Sequence, residues 1–417
     1  MATYEYKNLA EQYEDFSYPI AVIEVNGQDI AKNDKQFIVN QIEVELTSGF
    51  EASIASFNIY NAFDSVNSQF MYKEVRQYIL IGSRLSISLG YANVAKKVFI
   101  GVITKVNFVF DQDSNPYIHV TAMDVKGIMM AGSYAQQLKA RSYGEAVREV
   151  LEKTAYSKMV DTEIISDINV ADTPDMQKTV TGGLPTATTD DGLDSSDYTI
   201  EMVNESDYEF VVRAARRFDY EFFTQCGTVI FRRAKDDNEV IMEFSPGKGL
   251  YDFDIEYDIT GIVNEIEVRG MDTGKGKMIS SKQKFSGKVS NGNKAKALLA
   301  GSRKVYIDPT VRSTDEAKYR ASSLMEDMMY RVGSLNCTVQ GMPEIVAGKK
   351  IAIKDLGGAV SNYFYVTEVR HVLSPDGYHT YIKGKTASVG SESGELSTDG
   401  LSGLSSLTGL DNLLGGL

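Results

Sequence analysis

The sequence predicts a mainly β protein with an α+β insertion: two related small antiparallel β-barrels, a middle α+β domain and a tail rich in Gly, Ser and Leu. Three observations carry that expectation. From Tyr18 to about Gly132, apolar and polar residues alternate with period two, which sends successive side chains to opposite faces of a sheet. Near Ser142 and again at Ser206, capping-box patterns open stretches with helical spacing. Short pieces of the first β region then recur, in order, in the last third of the chain. The organisation expected is an N-terminal segment 1–17, a first barrel 18–135, a middle domain 136–238 with a mobile loop 172–198, a second barrel 239–386 containing a helix at 314–330, and a tail 387–417.

The elements follow from local patterns. Ala21 to Val25 runs into Asn26-Gly27, a pair that accepts the positive φ angles of a tight hairpin turn, so a return strand is expected. Ile38–Leu46, Ala52–Tyr60, Leu85–Leu89, Val98–Phe110 and Tyr117–Met123 continue the alternation, with a turn at Asp111 to Pro116. Ser142-Tyr143-Gly144-Glu145 opens a helix whose Ala146, Val147, Val150 and Leu151 share a face. Asp172 to Asp197 is rich in Thr, Asp, Gly and Pro and reads as a loop. Ser206-Asp207-Tyr208-Glu209 opens a second helix, with Tyr208, Val211, Val212, Ala215 and Phe218 on one stripe and Arg213, Arg216 and Arg217 opposite. Tyr220–Phe223 and Thr228–Arg232 then form a hairpin. In the last β region, Ser313 caps the helix expected from Thr314 to Tyr330, and Gly333 is expected to end it.

The repeat rests on four matches. Val39 to Val44 shares five of six residues with Val263 to Val268, at an offset of 224. Leu85-Ser86-Ile87 matches Ile351-Ala352-Ile353, Thr104-Lys105-Val106 matches Thr367-Glu368-Val369, and Tyr117 matches Tyr378, at offsets of 266, 263 and 261. Length differences confined to loops are what two diverged copies of one barrel produce.

Composition excludes several classes of function. The 417 residues carry 43 Lys+Arg against 57 Asp+Glu, a net charge of −14, which offers no basic surface for nucleic acid. Cys226 and Cys337 are the two cysteines and His119, His371 and His379 the three histidines, too few for ordinary zinc, iron–sulfur or thiol chemistry. Nothing approaches a membrane-spanning apolar run, so a soluble chain made in the cytoplasm is expected. The catalytic templates fail in turn. Gly270 to Gly276 has the glycines of a phosphate loop but places Lys275 one residue short and Gly276 where Ser or Thr belongs. Asp111, Asp113 and Asn115 begin like a calcium loop that Pro116 and Ala122 then break. Asp190, Asp191, Asp194 and Asp197 read as a solvated acidic run, and His371 and His379 as surface residues flanking the turn at Ser374 to Gly377. No catalytic residue, cofactor or metal ligand is expected, and the chain is read as a non-enzyme.

The stretch Glu205-Ser206-Asp207-Tyr208-Glu209-Phe210 resembles the Glu-Ser-Asp-aromatic-Glu-Phe helix of the late control protein D family, which includes baseplate hubs of contractile phage tails and the hub part of type VI secretion spike proteins. Gly90-Tyr91 with Phe99 to Ile103, and Gly341-Met342-Pro343 with Gly348, extend the similarity over roughly Tyr18 to Thr386. The resemblance implies a virion structural protein: a homotrimer whose six barrels form a ring adapting a sixfold tail tube to a threefold spike. The tail tube protein and a separate spike protein are the implied partners, with tape-measure and baseplate wedge proteins as further neighbours. Assembly in the host bacterial cytoplasm, then residence in the baseplate of a virion or extracellular injection particle, is implied with them. The alternatives are a tail-associated cell-wall hydrolase and a receptor- or carbohydrate-binding tail protein. In the tail itself, Leu401, Leu404, Leu407, Leu410 and Leu413 recur every third residue before Leu414 and Leu417, which fits a segment that orders on a partner.

Overall fold

The computed structural model describes residues 2–30, 37–111, 115–173, 200–272, 276–287, 293–358 and 360–390. The first part contains α1 (Tyr6–Gln12), β1 (Pro19–Val25), β2 (Gln28–Asp29), β3 (Ile38–Thr47), β4 (Ile54–Tyr60), β5 (Phe63–Asp64), β6 (Gln69–Phe70), α2 (Tyr72–Arg76), β7 (Arg84–Tyr91), β8 (Val94–Val109) and β9 (Tyr117–Met123). Asn26 and Gly27 take φ of 50° and 80°, the turn the sequence anticipates. The return strand β2 is two residues long, and the main partner of β1 is β7. Six strands lie in the order β1-β7-β8-β9-β4-β3; β3, β4 and β9 bury alternate residues, whereas β7 and the middle of β8 are buried on both faces.

The middle contains α3 (Val125–Met129), β10 (Tyr134–Leu138), α4 (Tyr143–Leu151), α5 (Thr154–Asp161), β11 (Asp167–Val170), β12 (Ile200–Glu205), α6 (Asp207–Phe218), β13 (Tyr220–Gln225) and β14 (Thr228–Arg233). Its core is separate, built from Val147, Leu151, Phe210, Val211, Phe222 and Phe231 among others. Helix α4 forms because Ser142 accepts a hydrogen bond from the Glu145 N–H. The Glu145 carboxylate reaches past Ser142 to the Arg141 N–H instead of closing a reciprocal box.

The last part contains β15 (Val240–Pro246), β16 (Gly249–Tyr257), β17 (Glu265–Asp272), β18 (Lys277–Lys284), α7 (Asn293–Leu299), β19 (Arg303–Ile307), α8 (Thr314–Met329), β20 (Gly333–Gln340), β21 (Lys350–Ile353), β22 (Asn362–Ser374) and β23 (Gly377–Thr386). Six of these strands run β15-β21-β22-β23-β20-β16, and pairing of β15 with β16 closes them into a barrel. The protein is thus mainly β, with two sheets of the same strand order.

The duplication is visible down to single residues. Thr104 is skipped where Ile103 pairs with Ala122 and Lys105 with Thr121, and Thr367 is skipped where Val366 pairs with Gly384 and Glu368 with Lys383. Both threonine hydroxyls lie on the carbonyl of the residue opposite the bulge, Thr104 on Thr121 at 3.4 Å and Thr367 on Lys383 at 3.2 Å. One expected match is corrected. Val263 to Val268 lies at the start of β17 in a separate sheet, β18-β17-β19, which packs with α8 over its own core of Ile266, Val268, Ala317 and Met325. The strand that occupies the place of β3 is β16. Gly333 is also corrected: α8 ends at Met329, and Gly333 opens β20, where a Cβ would meet Thr386 at 2.6 Å.

The two sheets share one apolar core that joins Leu46, Phe57 and Phe99 to Phe244, Phe364 and Val369. Helix α1 lies at their junction. Its C-cap residue Tyr13 donates to Glu344 at 2.6 Å, and Tyr91 of β7 donates to the Gly341 carbonyl at 2.9 Å. Gly341 also lets the Tyr378 ring lie against the backbone at this junction, since a Cβ there would fall 2.3 Å from that ring.

Candidate assembly surface

Strand β22 is the hinge point of the surface. On one side it pairs with β23; on the other it pairs first with β21 and then, through Glu368 to Leu373, with Ile42 to Thr47 of β3. Within the thirteen-stranded sheet, one run of paired neighbours therefore passes β8-β9-β4-β3-β22-β23-β20-β16, eight strands in all. Its inner face feeds the core, and its outer face is polar. Across the β22–β3 seam Arg370 holds Glu43 at 3.1 Å; on the other side of β22, Arg370 lies over the Tyr381 ring and Glu368 holds Lys383 of β23 at 2.8 Å. Burial beside Glu368 raises the carboxyl pKa of Glu45 above its ordinary value. The outer face carries six acids, Glu43, Glu45, Glu368, Asp252, Asp254 and Glu256, against Lys105, Arg370, Lys383 and Lys385.

Both ends of this sheet are open. Strand β7 covers β8 only as far as Val102, and among the described residues no strand pairs with residues 104–109 on that side. Strand β15 reaches β16 only at Gly249 and Leu250, and among the described residues no strand pairs with residues 251–256 there. Large apolar side chains gather at the same two ends: Phe108 and Phe110 at one, Tyr251 and Phe253 at the other, each 39–58% exposed.

The expected motif residues do other work. Glu205 closes β12 and grips Arg213 through both oxygens, at 2.6 and 3.0 Å. Ser206 and Glu209 form the reciprocal capping box of α6. Asp207 is buried and accepts from Lys153 and, at 2.7 Å, from Tyr156. Tyr208 donates to the Phe50 carbonyl beyond β3, and Phe210 is fully buried. These residues fasten α6 to α5 and to the first sheet. Arg232 makes the matching joint to the second sheet, bonding Glu221 at 2.7 Å, Asp237 at 2.9 Å and the Gly348 carbonyl at 2.6 Å, while Tyr365 donates to Glu221.

His371 is not on the surface as expected. It is fully buried, donating from Nε2 to the Ile345 carbonyl at 3.1 Å and accepting at Nδ1 from the Tyr378 hydroxyl at 2.9 Å. Burial holds its pKa down at about 4. His379 faces outward against Tyr251. Leu401 to Leu417, Asp113 and the acids from Asp190 to Asp197 lie outside the described residues. In the cleft between α6 and α8, Arg217 holds Glu316, Arg320 holds Asp308 and Arg213 holds Glu205, so these carboxylates serve ion pairs. Among the described residues no cluster of His, Cys, Asp and Glu has the arrangement of a metal site, and no helix is long and apolar enough to cross a membrane.

The architecture is that of known tail proteins. It matches the 43 kDa tail protein of prophage MuSo2 from Shewanella oneidensis with a TM-score of 0.62 at 11% identity, covering 88% of this chain and 98% of that one. A tail protein from Neisseria meningitidis MC58 matches at 0.61 and 13%, covering 88% and 96%. An Escherichia coli protein, described as a component of the type VI secretion system with structural similarity to bacteriophage T4 tail proteins, matches at 0.50 and 10%, covering 87% and 76%. No curated protein matches the sequence. The family model described as the Alg8 N-terminal domain matches residues 18–375, and the chain belongs to that family.

Proposed function

We propose that the chain is a non-enzymatic structural component of a phage-type tail or related injection particle, a hub that trimerises between a tail tube and a separate spike. One observation carries this reading: two sheets of the same strand order are already joined edge to edge within the chain, through β3 and β22, and the combined sheet ends in open edges. Repeating such a joint around a threefold axis closes a ring of six sheets, sixfold in its spacing and threefold in its symmetry. The fold shared with tail proteins supports the setting. The acidic excess on the polar face suits a conduit wall that does not retain nucleic acid. In this reading residues 18–135 and 239–386 are the two ring modules, and 136–238 is a bracket between them. The leucine series from Leu401 to Leu417 is proposed to seat on the spike or tape-measure protein; unchanged assembly after deletion beyond Ser391 would end that part.

Electron cryo-microscopy of the native particle tests the whole. Density for three copies at the tube–spike boundary is expected. Density on a peripheral fibre, or none in the particle, would overturn the reading.

A further inference from the structure

We infer that the two open sheet edges are each other's partners: residues 105–109 of β8 and the following Phe110 in one copy pair antiparallel with residues 253–257 of β16 and the following Asp258 in the next copy, with Val109 opposite Asp254. This rests on the trimer reading and specifies its contact.

The register is fixed by the seam inside the chain. Lys105 follows the first bulge and pairs with Thr121, Thr121 with Ser56, and Ser56 with Glu43. Glu368 follows the second bulge and pairs with Lys383, Lys383 with Asn336, and Asn336 with Asp254. Lys105 and Glu368 therefore occupy one position of the repeat, and Glu43 and Asp254 another. Within the chain Glu43 pairs with Val372. The bulge residues set the offset, 367 − 104 = 263, so Val372 corresponds to Val109. Asp254 of one copy thus receives Val109 of the next, Glu256 receives Asn107, and Asp258 receives Lys105.

The side chains suit that register. Ile42, Val44 and Leu46 of β3 point inward, and Phe253, Ile255 and Tyr257 stand at the equivalent positions of β16. Glu43 and Glu45 point outward, and so do Asp254 and Glu256. In the built seam these acids meet Arg370; in the proposed one, Lys105 faces Asp258 with Glu256 diagonal to it, an opposite-charge arrangement. On the inner face Phe108 meets Ile255 and Phe110 meets Phe253, covering apolar rings that the single chain leaves exposed. A second copy is the occupant because the same chain already makes this joint with itself.

Cross-linking in the full chain tests the register. The pairs Val109→Cys with Asp254→Cys, and Asn107→Cys with Glu256→Cys, sit on the outer face and bring Cα atoms within disulfide reach. Under oxidation each double variant is expected to form reducible dimer and trimer bands, whereas Val109→Cys with Glu256→Cys, a diagonal pair, and every single variant are not. Native mass spectrometry of the reduced variants, alone and co-expressed with the spike, separates the two levels of the claim. A trimer that cross-links only at the diagonal pair, or at none, overturns the pairing and leaves the trimer standing. A chain that stays monomeric in both settings overturns both.

Discussion

At the residue scale, the informative side chains are polar groups that burial forces into defined partnerships. His371 sits where β8 has Phe108, and it is tolerated there because both ring nitrogens are satisfied. Its folded pKa of about 4 lies below the ordinary value of 6.5, so the unfolded chain binds the extra proton first. The contribution is fully present above about pH 6.5 and is lost as pH falls towards 4, to the extent of about 3 kcal/mol at 1.36 kcal/mol per unit. Thermal melts across that range are expected to drop steeply for the native chain and less so for His371→Gln; equal slopes would contradict the assignment. Arg232 offers a second test. Arg232→Ala leaves Glu221 buried without its cation, and a loss of about 3 kcal/mol or more is expected in denaturant unfolding. Tyr378 reaches His371 across the β22–β23 hairpin, but the Ile345 and Gly348 carbonyls that complete the two partnerships come from the loop between β20 and β21, whose path the sequence does not show.

Among elements, what the sequence made legible depends on how local the cause is. Helix α6 was readable because its capping box and stripe lie within thirteen residues of each other, and Ser206→Ala is expected to cost about 1 kcal/mol in urea unfolding. The strands β3, β4 and β9 were readable because alternate residues of each are buried on one core, and β8 because its run Val98 to Ile103 is apolar and buried throughout. The misread element was β16. Its likeness to β3 is one of pattern, apolar at 253, 255 and 257 and acidic at 254 and 256, while Val263 to Val268 copies the letters of β3 without its place. Side-chain direction and strand partners, not residue identity, decide equivalence in a sheet. The insertion β17–β19 with α8 hid this, since it separates β16 from its partner β20 by more than seventy residues of sequence.

At the scale of the whole molecule, one chain is proposed to be an unclosed part of a larger closed wall. Eight strands in one sheet, with apolar rings at both ends, are poorly suited to remain single, since open edges invite pairing with another chain. In the proposed trimer, a second and a third copy cover both of these edges. Because the proposed seam sets Lys105 against Asp258 and Glu256, Lys105→Glu is expected to weaken the assembly and Glu256→Lys in the same chain to restore part of it, read as the trimer fraction in sedimentation. The decisive measurement is the mass of the purified chain in dilute solution, alone and with the spike protein. Three times the 46.0 kDa of the chain is expected in at least one of the two settings; a mass of one chain in both would rule the trimer out.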